Sequence, residues 1–276
     1  MTTLEGKVAV ITGAARGQGR SHAIKLAEEG ADIIAIDLCS QVDTVPYPMA
    51  TPEDLSETVR AVELLGRRAL AYTCDVRDLE NLTKAVAEGV HELGRLDIVV
   101  ANAGILSVAA DSDVSEQMWQ TMIDINLGGV WKTIKAATPH ILAGRRGGSM
   151  VLISSTAGQR AYTGLPHYVA AKHGVVGLAK AFAKTFAPQG IRVNALLPTN
   201  VDTDMIQNQM MYELFLPEHP NPTRDDFAVP ARDLQEMAVP WIESIDTSNA
   251  VAFLVSDAAR YITGIGLPVD AGCLLK

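Results

Sequence analysis

The sequence predicts an α/β fold in one domain, residues 1–276: a doubly wound, seven-stranded parallel sheet with helices on both faces. Three observations carry that expectation. Short runs of Val, Ile and Leu alternate with longer Ala-rich stretches of helical period, as in strands buried on both faces beneath crossover helices. A glycine-rich turn, TGAARGQG, follows the first apolar run. The 276 residues are 48% hydrophobic, enough for a substantial core yet short for two ordinary domains.

Taken in order, strands are expected at residues 8–11, 32–36, 69–73, 98–101, 149–153, 192–196 and 267–269, with helices filling most intervals. Right-handed crossovers between parallel strands place ligands at the carboxyl edge of the sheet, near its switch point. The candidate site residues are expected along that edge. Two segments depart from the pattern. Residues 38–56 exceed the usual strand-to-helix loop; Pro46, Pro48 and Pro52 deny them regular structure until TPED. There Thr51 can cap a helix, Pro52 suits its first position and the acids suit its first turn. The second departure is residues 203–241.

A net charge of −9 argues against a nucleic-acid partner, which clustered Lys and Arg would serve. No stretch approaches the roughly 18 apolar residues of a membrane span, and MTTLEGKVAVITG leads into the first strand without a signal-like flank. Cys39, Cys74 and Cys273 are odd in number, widely spaced and without a Cys-x-x-Cys pair. Neither a disulfide framework nor a metal site is expected, and reduced thiols fit a cytoplasmic location.

In TGAARGQG, Gly13, Gly17 and Gly19 allow a tight turn and the close approach of a pyrophosphate to amides at a helix N-terminus. Asp37 ends the second strand at the spacing where an acid receives the adenosine ribose hydroxyls. Its carboxylate repels a 2′-phosphate and favours NAD over NADP. Arg16 pulls the other way, since a cation here could pair with that phosphate; Asp37 is the stronger signal.

TGAARGQG, NAG at residues 102–104, ISS at 153–155 and YVAAK at 168–172 occur in this order. Together they resemble the short-chain dehydrogenase/reductase family, single-domain Rossmann proteins, over residues 6–272. The resemblance implies that Asp75 and Val76 border the adenine and that Asn102 stabilises the central strand region. It implies that PTNVDT, with Pro198, Val201 and Thr203, holds the nicotinamide end. Gln18, Leu38, Ala103 and Gly104 join the cofactor site by the same comparison, as do Tyr168 and Lys172.

Tyr168 and Lys172 lie four apart and share one helix face. A free phenol, with a pKa of about 10, is a poor base near neutrality; a nearby ammonium is expected to lower that value. Tyr168 would then take the proton of an alcohol as hydride leaves its carbon. Ser155, at a strand end, would hydrogen-bond the developing oxygen charge. Asn126, in DINLGG, matches the family position whose backbone supports a water linked to the lysine. Ser154 faces the other way and is expected only to satisfy local backbone. His167 and His173 are expected to be structural or surface residues, and Asp202 and Asp204 solvated loop acids.

The 38–56 insertion resembles that of the mycofactocin-associated, carveol-dehydrogenase-like subfamily. This implies firmly held NAD covered by the loop, with electrons passed to a separate redox carrier such as mycofactocin. Residues 203–241 occupy the family's substrate-loop position. Met205, Met210, Met211, Tyr212, Leu214 and Phe215 there form a soft apolar surface, although core packing or a subunit contact explains the same stripe. With Leu106 and Trp241 expected nearby, the pocket suits a hydrophobic cyclic or terpenoid secondary alcohol or its ketone. The resemblance also implies a homotetramer. Alternatives are an NADP-dependent ketoacyl reductase and a non-catalytic dinucleotide-binding regulator.

Overall fold

Alternation along the first strand decides how the sheet is covered. In β1 (Val8–Thr12) every residue is buried; Val10 points into one apolar layer and Ile11 into the other, the period-two consequence of the pleat. The same holds along β2 (Asp32–Asp37) and β4 (Ile98–Ala101). Burying one such Val or Ile side chain contributes about 1.5–3 kcal/mol, so a strand apolar on both sides requires helices on both.

The computed structural model describes residues 3–109 and 111–276. Its remaining strands are β3 (Ala69–Thr73), β5 (Gly148–Ile153), β6 (Ile191–Pro198) and β7 (Gly266–Val269). All pair in parallel, in the order β3-β2-β1-β4-β5-β6-β7. The expected strands are present, with ends differing by no more than two residues. Strand order reverses between β1 and β4, which opens a crevice at their carboxyl ends. One face is covered by α1 (Gly17–Glu28), α2 (Pro52–Leu64) and α9 (Ser244–Val255). The other is covered by α3 (Leu79–Leu93), α5 (Val130–Gly144) and α6 (Pro166–Phe186).

Before α5, α4 (Glu116–Ile123) runs through a π-helical turn, Asp124–Gly129, without a break. Such widened turns occur mostly at functional sites, and this one contains Asn126. The two departures pack together in a third apolar cluster above the sheet's carboxyl edge, where Val42, Val45 and Tyr47 meet Met211 and Phe227. Thr51 and Asp54 form a reciprocal capping box that starts α2 at Pro52, as expected. Residues 203–241 are more ordered than a loop: they contain α7 (Gln209–Phe215) and α8 (Arg224–Asp233). Among the described residues, no helix is long and apolar enough to cross a membrane.

Candidate active site

The glycine turn brings β1 back against β4. Asn102 fastens it, its amide donating to the Thr12 and Gly13 carbonyl oxygens at 3.0 and 3.2 Å. A Cβ on Gly13, whose φ is +67°, would lie 2.8 Å from Ala103 Cα; one on Gly19 would lie 1.9 Å from Gly13 O. Arg16, at the N-cap of α1, gives no side-chain cap to that helix. The first amides, at Gly17, Gln18 and Gly19, thus face the crevice without a capping side chain, the arrangement that receives a phosphate.

The crevice, open to solvent along its mouth, spans about 1100 Å³ of unfilled space including that opening. Gly13, Arg16, Gly17, Gln18, Gly19, Asp37, Leu38, Asp75, Val76, Asn102, Ala103, Gly104, Tyr168, Lys172 and Thr203 all line it. Pro198 and Val201 line the adjoining cavity instead. Asp37 accepts one main-chain N–H on each carboxylate oxygen, from Ala15 at 3.0 Å and Cys39 at 3.1 Å, leaving lone pairs for ribose hydroxyls. Asp75 is desolvated, yet its hydrogen bonds from Arg77 outweigh that and hold its carboxyl below the ordinary value. Gly17 packs against Thr203, a Cβ there falling 3.2 Å from Thr203 Cγ2. The Thr203 hydroxyl donates to Val201 O at 3.2 Å. The donors and acceptors fit a dinucleotide.

Arg16 is engaged within the protein, in keeping with Asp37 as the stronger signal. Its guanidinium donates to Pro48 O at 2.6 Å and pairs with Asp204 at 2.9 Å, so it joins residues 38–56 to residues 203–241. Asp204 stays solvent-exposed, as expected of a loop acid. Asp202 is more enclosed, bound by Arg224 at 2.5 Å and Gln207 at 2.6 Å. Sequence reading had no signal for these pairs, whose partners are remote along the chain. It also missed Tyr47, whose buried hydroxyl accepts from Leu106 N at 3.1 Å.

Ser155, Tyr168 and Lys172 converge where the crevice opens into a second, mainly apolar cavity; Tyr168 lines both. Ser155 Oγ accepts from Ala157 N at 3.1 Å and hydrogen-bonds the Tyr168 phenol. Lys172 is buried, donates from Nζ to Ile153 O at 2.9 Å, and lies 5.5 Å from the centre of the Tyr168 ring. Burial pushes the lysine down to about 8. Burial raises the phenol above its ordinary value, and the Ser155 bond offsets only part of this. The expectation that proximity to the ammonium makes the phenol acidic is thus not met by the protein groups alone. Desolvation of the buried phenol is the larger effect, and the Ser155 hydrogen bond is what opposes it.

Asn126 is fully buried behind the crevice; its amide exchanges two hydrogen bonds with the Ile105 main chain, at 2.8 and 2.9 Å. Gly104 lies beside both groups: a Cβ there would make ordinary contact with Asn126 Oδ1 at 3.4 Å and Lys172 Nζ at 3.6 Å. Ser154 donates to Lys172 O at 2.8 Å, so it satisfies backbone, but across to α6 rather than locally. His167 is buried against Ser107, Nε2 to Oγ 3.0 Å, and His173 is exposed.

The second cavity is walled by Leu106, Leu165, Met205, Ile206, Met211, Leu214 and Phe215. Tyr212 and Trp241 stand behind this wall, each packed on the buried ring of Phe227 with centroids 5.3 and 5.9 Å away. Trp241 therefore supports the wall rather than forming it.

Comparison with known proteins agrees with this geometry. The short chain dehydrogenase family profile matches residues 7–213. (-)-trans-Carveol dehydrogenase of Rhodococcus erythropolis is 57% identical over 277 residues, covering 100% of both chains. The crystal structure of carveol dehydrogenase from Mycobacterium avium in complex with NAD superposes with a TM-score of 0.99 at 55% identity, covering 100% of both chains. That of a short chain dehydrogenase from Mycobacterium paratuberculosis bound to NAD gives 0.92 at 43% identity, covering 99% of this chain and 100% of the other. With a glycine turn at the switch point and a serine, tyrosine and lysine gathered beside it, the chain belongs to the short-chain dehydrogenase family.

Proposed function

We propose that the protein interconverts a hydrophobic cyclic secondary alcohol of the carveol type and its ketone, using NAD. The observation that carries this reading is the position of Tyr168 on both cavities, one suited to a dinucleotide and one to an apolar ring. The likeness to two carveol dehydrogenases supports it. Gly13, Gly19, Asp37 and Asn102 would hold NAD, which would supply the hydride acceptor for the carbinol carbon and a positively charged ring. Tyr168 takes the hydroxyl proton. Ser155, whose Oγ accepts from Ala157 N and whose hydroxyl bonds the Tyr168 phenol, would share that hydrogen with the substrate oxygen and stabilise the charge developing there. Lys172 and Asn126 stand behind the phenol as the proton's onward route.

Residues 38–56 support a further part of the proposal, that NAD is held without ready exchange and re-oxidised by a carrier such as mycofactocin. The segment is anchored across the crevice by Tyr47 to Leu106 and by Arg16 to Pro48. A homotetramer in the cytoplasm completes the reading. The test is direct: protein loaded with NAD is mixed with carveol, and reduction is followed at the nicotinamide absorbance. Turnover that falls by about 10²–10⁴-fold in Tyr168→Phe supports the assignment; an equally active Tyr168→Phe overturns it.

A further inference from the structure

Among the described residues, buried polar side-chain atoms on Gln18, His22, Thr44, His167, Asn200 and Gln235 have no partner within the protein. Such orphans are uncommon, and each calls for a reason. Gln18 and Asn200 are the two of these six that line the apolar cavity. Gln18 also lines the dinucleotide crevice; Asn200 does not.

The Asn200 main chain is fixed on both sides. Its carbonyl oxygen accepts from Ile242 N at 2.9 Å, and Thr199 N donates to Val269 O at 3.2 Å. Its amide nitrogen, Nδ2, is the group left without a partner. Several of the cavity's hydroxyls are engaged. Thr156 and Tyr162 bond each other at 3.0 Å, Tyr162 also meets Cys273 Sγ at 3.3 Å, and Thr203 bonds Val201 O. Ser155 and Tyr168 serve the reacting oxygen. An N–H2 group therefore stands unclaimed at the wall of the apolar cavity. The terminal torsion of Asn is soft, so a small rotation turns these hydrogens into the cavity.

We propose that Asn200 determines specificity by donating to a second oxygen on the substrate. Carveol-type alcohols that also carry a carbonyl or ether acceptor on the ring are then preferred over those with the carbinol alone. A site that offers a hydrogen bond discriminates strongly against an analogue lacking the partner, because its own polar group is left unpaired. This inference rests on the alcohol-dehydrogenase reading above.

The test compares two alcohols of nearly equal shape, 4-hydroxycyclohexanone and 4-methylenecyclohexanol, with NAD-loaded protein. Wild type is expected to favour the keto alcohol in kcat/KM by about tenfold, equivalent to about 1.4 kcal/mol. In Asn200→Leu the ratio should fall to near one, through KM of the keto alcohol rather than through kcat. Asn200→Asp keeps the shape but lacks the N–H2 group; it should lose the preference too, and it decides the matter where the leucine variant does not fold. A wild-type preference for the methylene compound, or a ratio unchanged in the variants, overturns this inference alone. If wild type oxidises neither probe nor carveol, the parent reading falls with it.

Discussion

Lys172 Nζ donates to the main-chain oxygen of Ile153 at 2.9 Å, binding α6 to the end of β5 beside Tyr168. A lysine in that place is chemically demanding, since burial lowers its pKa from 10.5 to about 8. Below that value the folded state holds a desolvated charge. Between about 8 and 10.5 the unfolded chain binds the proton and the folded chain does not, so stability rises with pH across this window. Lys172→Met removes the titration. The wild-type stability, relative to that variant, should therefore improve by about 2 kcal/mol between pH 7.5 and 9.5. Denaturant melts of both proteins measure it. A difference independent of pH would mean that the ammonium is not desolvated.

Asp37 and Arg16 divide the question of cofactor choice unequally. The Asp37 carboxylate bonds two main-chain amides at the crevice, whereas the Arg16 guanidinium is engaged by Pro48 and Asp204. Asp37→Ser should weaken NAD by about 10–100-fold, as expected for hydrogen bonds to a charged group, and raise NADP relative to NAD. Arg16→Gln should leave the NADP-to-NAD ratio unchanged. Titration of both dinucleotides by fluorescence checks both; a selective loss of NADP affinity in Arg16→Gln would show that the arginine does reach the phosphate.

The contrast between Asp37 and Arg16 also marks what a sequence reveals. Strands buried on both faces declare themselves as runs of Val and Ile, and glycine turns or a Tyr and Lys four apart have a local spacing. Ser155, Tyr168 and Lys172 were legible for that reason. The ion pairs of Asp202 and Asp204, the Tyr47 to Leu106 bond and the stacking of Trp241 on Phe227 join distant segments, and no local spacing encodes them. Helices α7 and α8 were hidden similarly. They are short, α8 carries Pro230, and they owe their place to the third apolar cluster more than to helical propensity.

Gly19 provides a test of the turn itself. A methyl group there would meet Gly13 O at 1.9 Å and Asn102 Nδ2 at 2.8 Å, and the first of these is backbone that cannot swing aside. Gly19→Ala should destabilise by 1–3 kcal/mol or more, as overpacking does, and abolish dinucleotide binding. Gly177→Ala is the control. Gly177 lies in α6 with nothing within 4 Å of its added Cβ, so that variant should gain roughly 0.5–1 kcal/mol. Thermal melts with and without NAD separate the two; equal tolerance would mean that the turn is loose.

Tyr47 tests whether residues 38–56 retain the dinucleotide. Its hydroxyl accepts from Leu106 N, and burial raises its pKa to about 12, so it stays neutral through the working range. Tyr47 lines the crevice, while Leu106 lines the apolar cavity; the bond therefore ties the cover of one to the wall of the other. Tyr47→Phe keeps the ring and leaves the Leu106 N–H without its acceptor, a cost of about 1–3 kcal/mol for a buried donor. That energy comes off the closed arrangement and not off the crevice beneath it. The expected outcome is faster release of NAD during dialysis, with the NAD-saturated turnover of carveol changed much less than its retention. The release rate, followed by nicotinamide fluorescence, is the deciding quantity. If Tyr47→Phe holds NAD as long as wild type, the insertion is a passive surface elaboration and retention must come from the glycine turn and Asp37 alone.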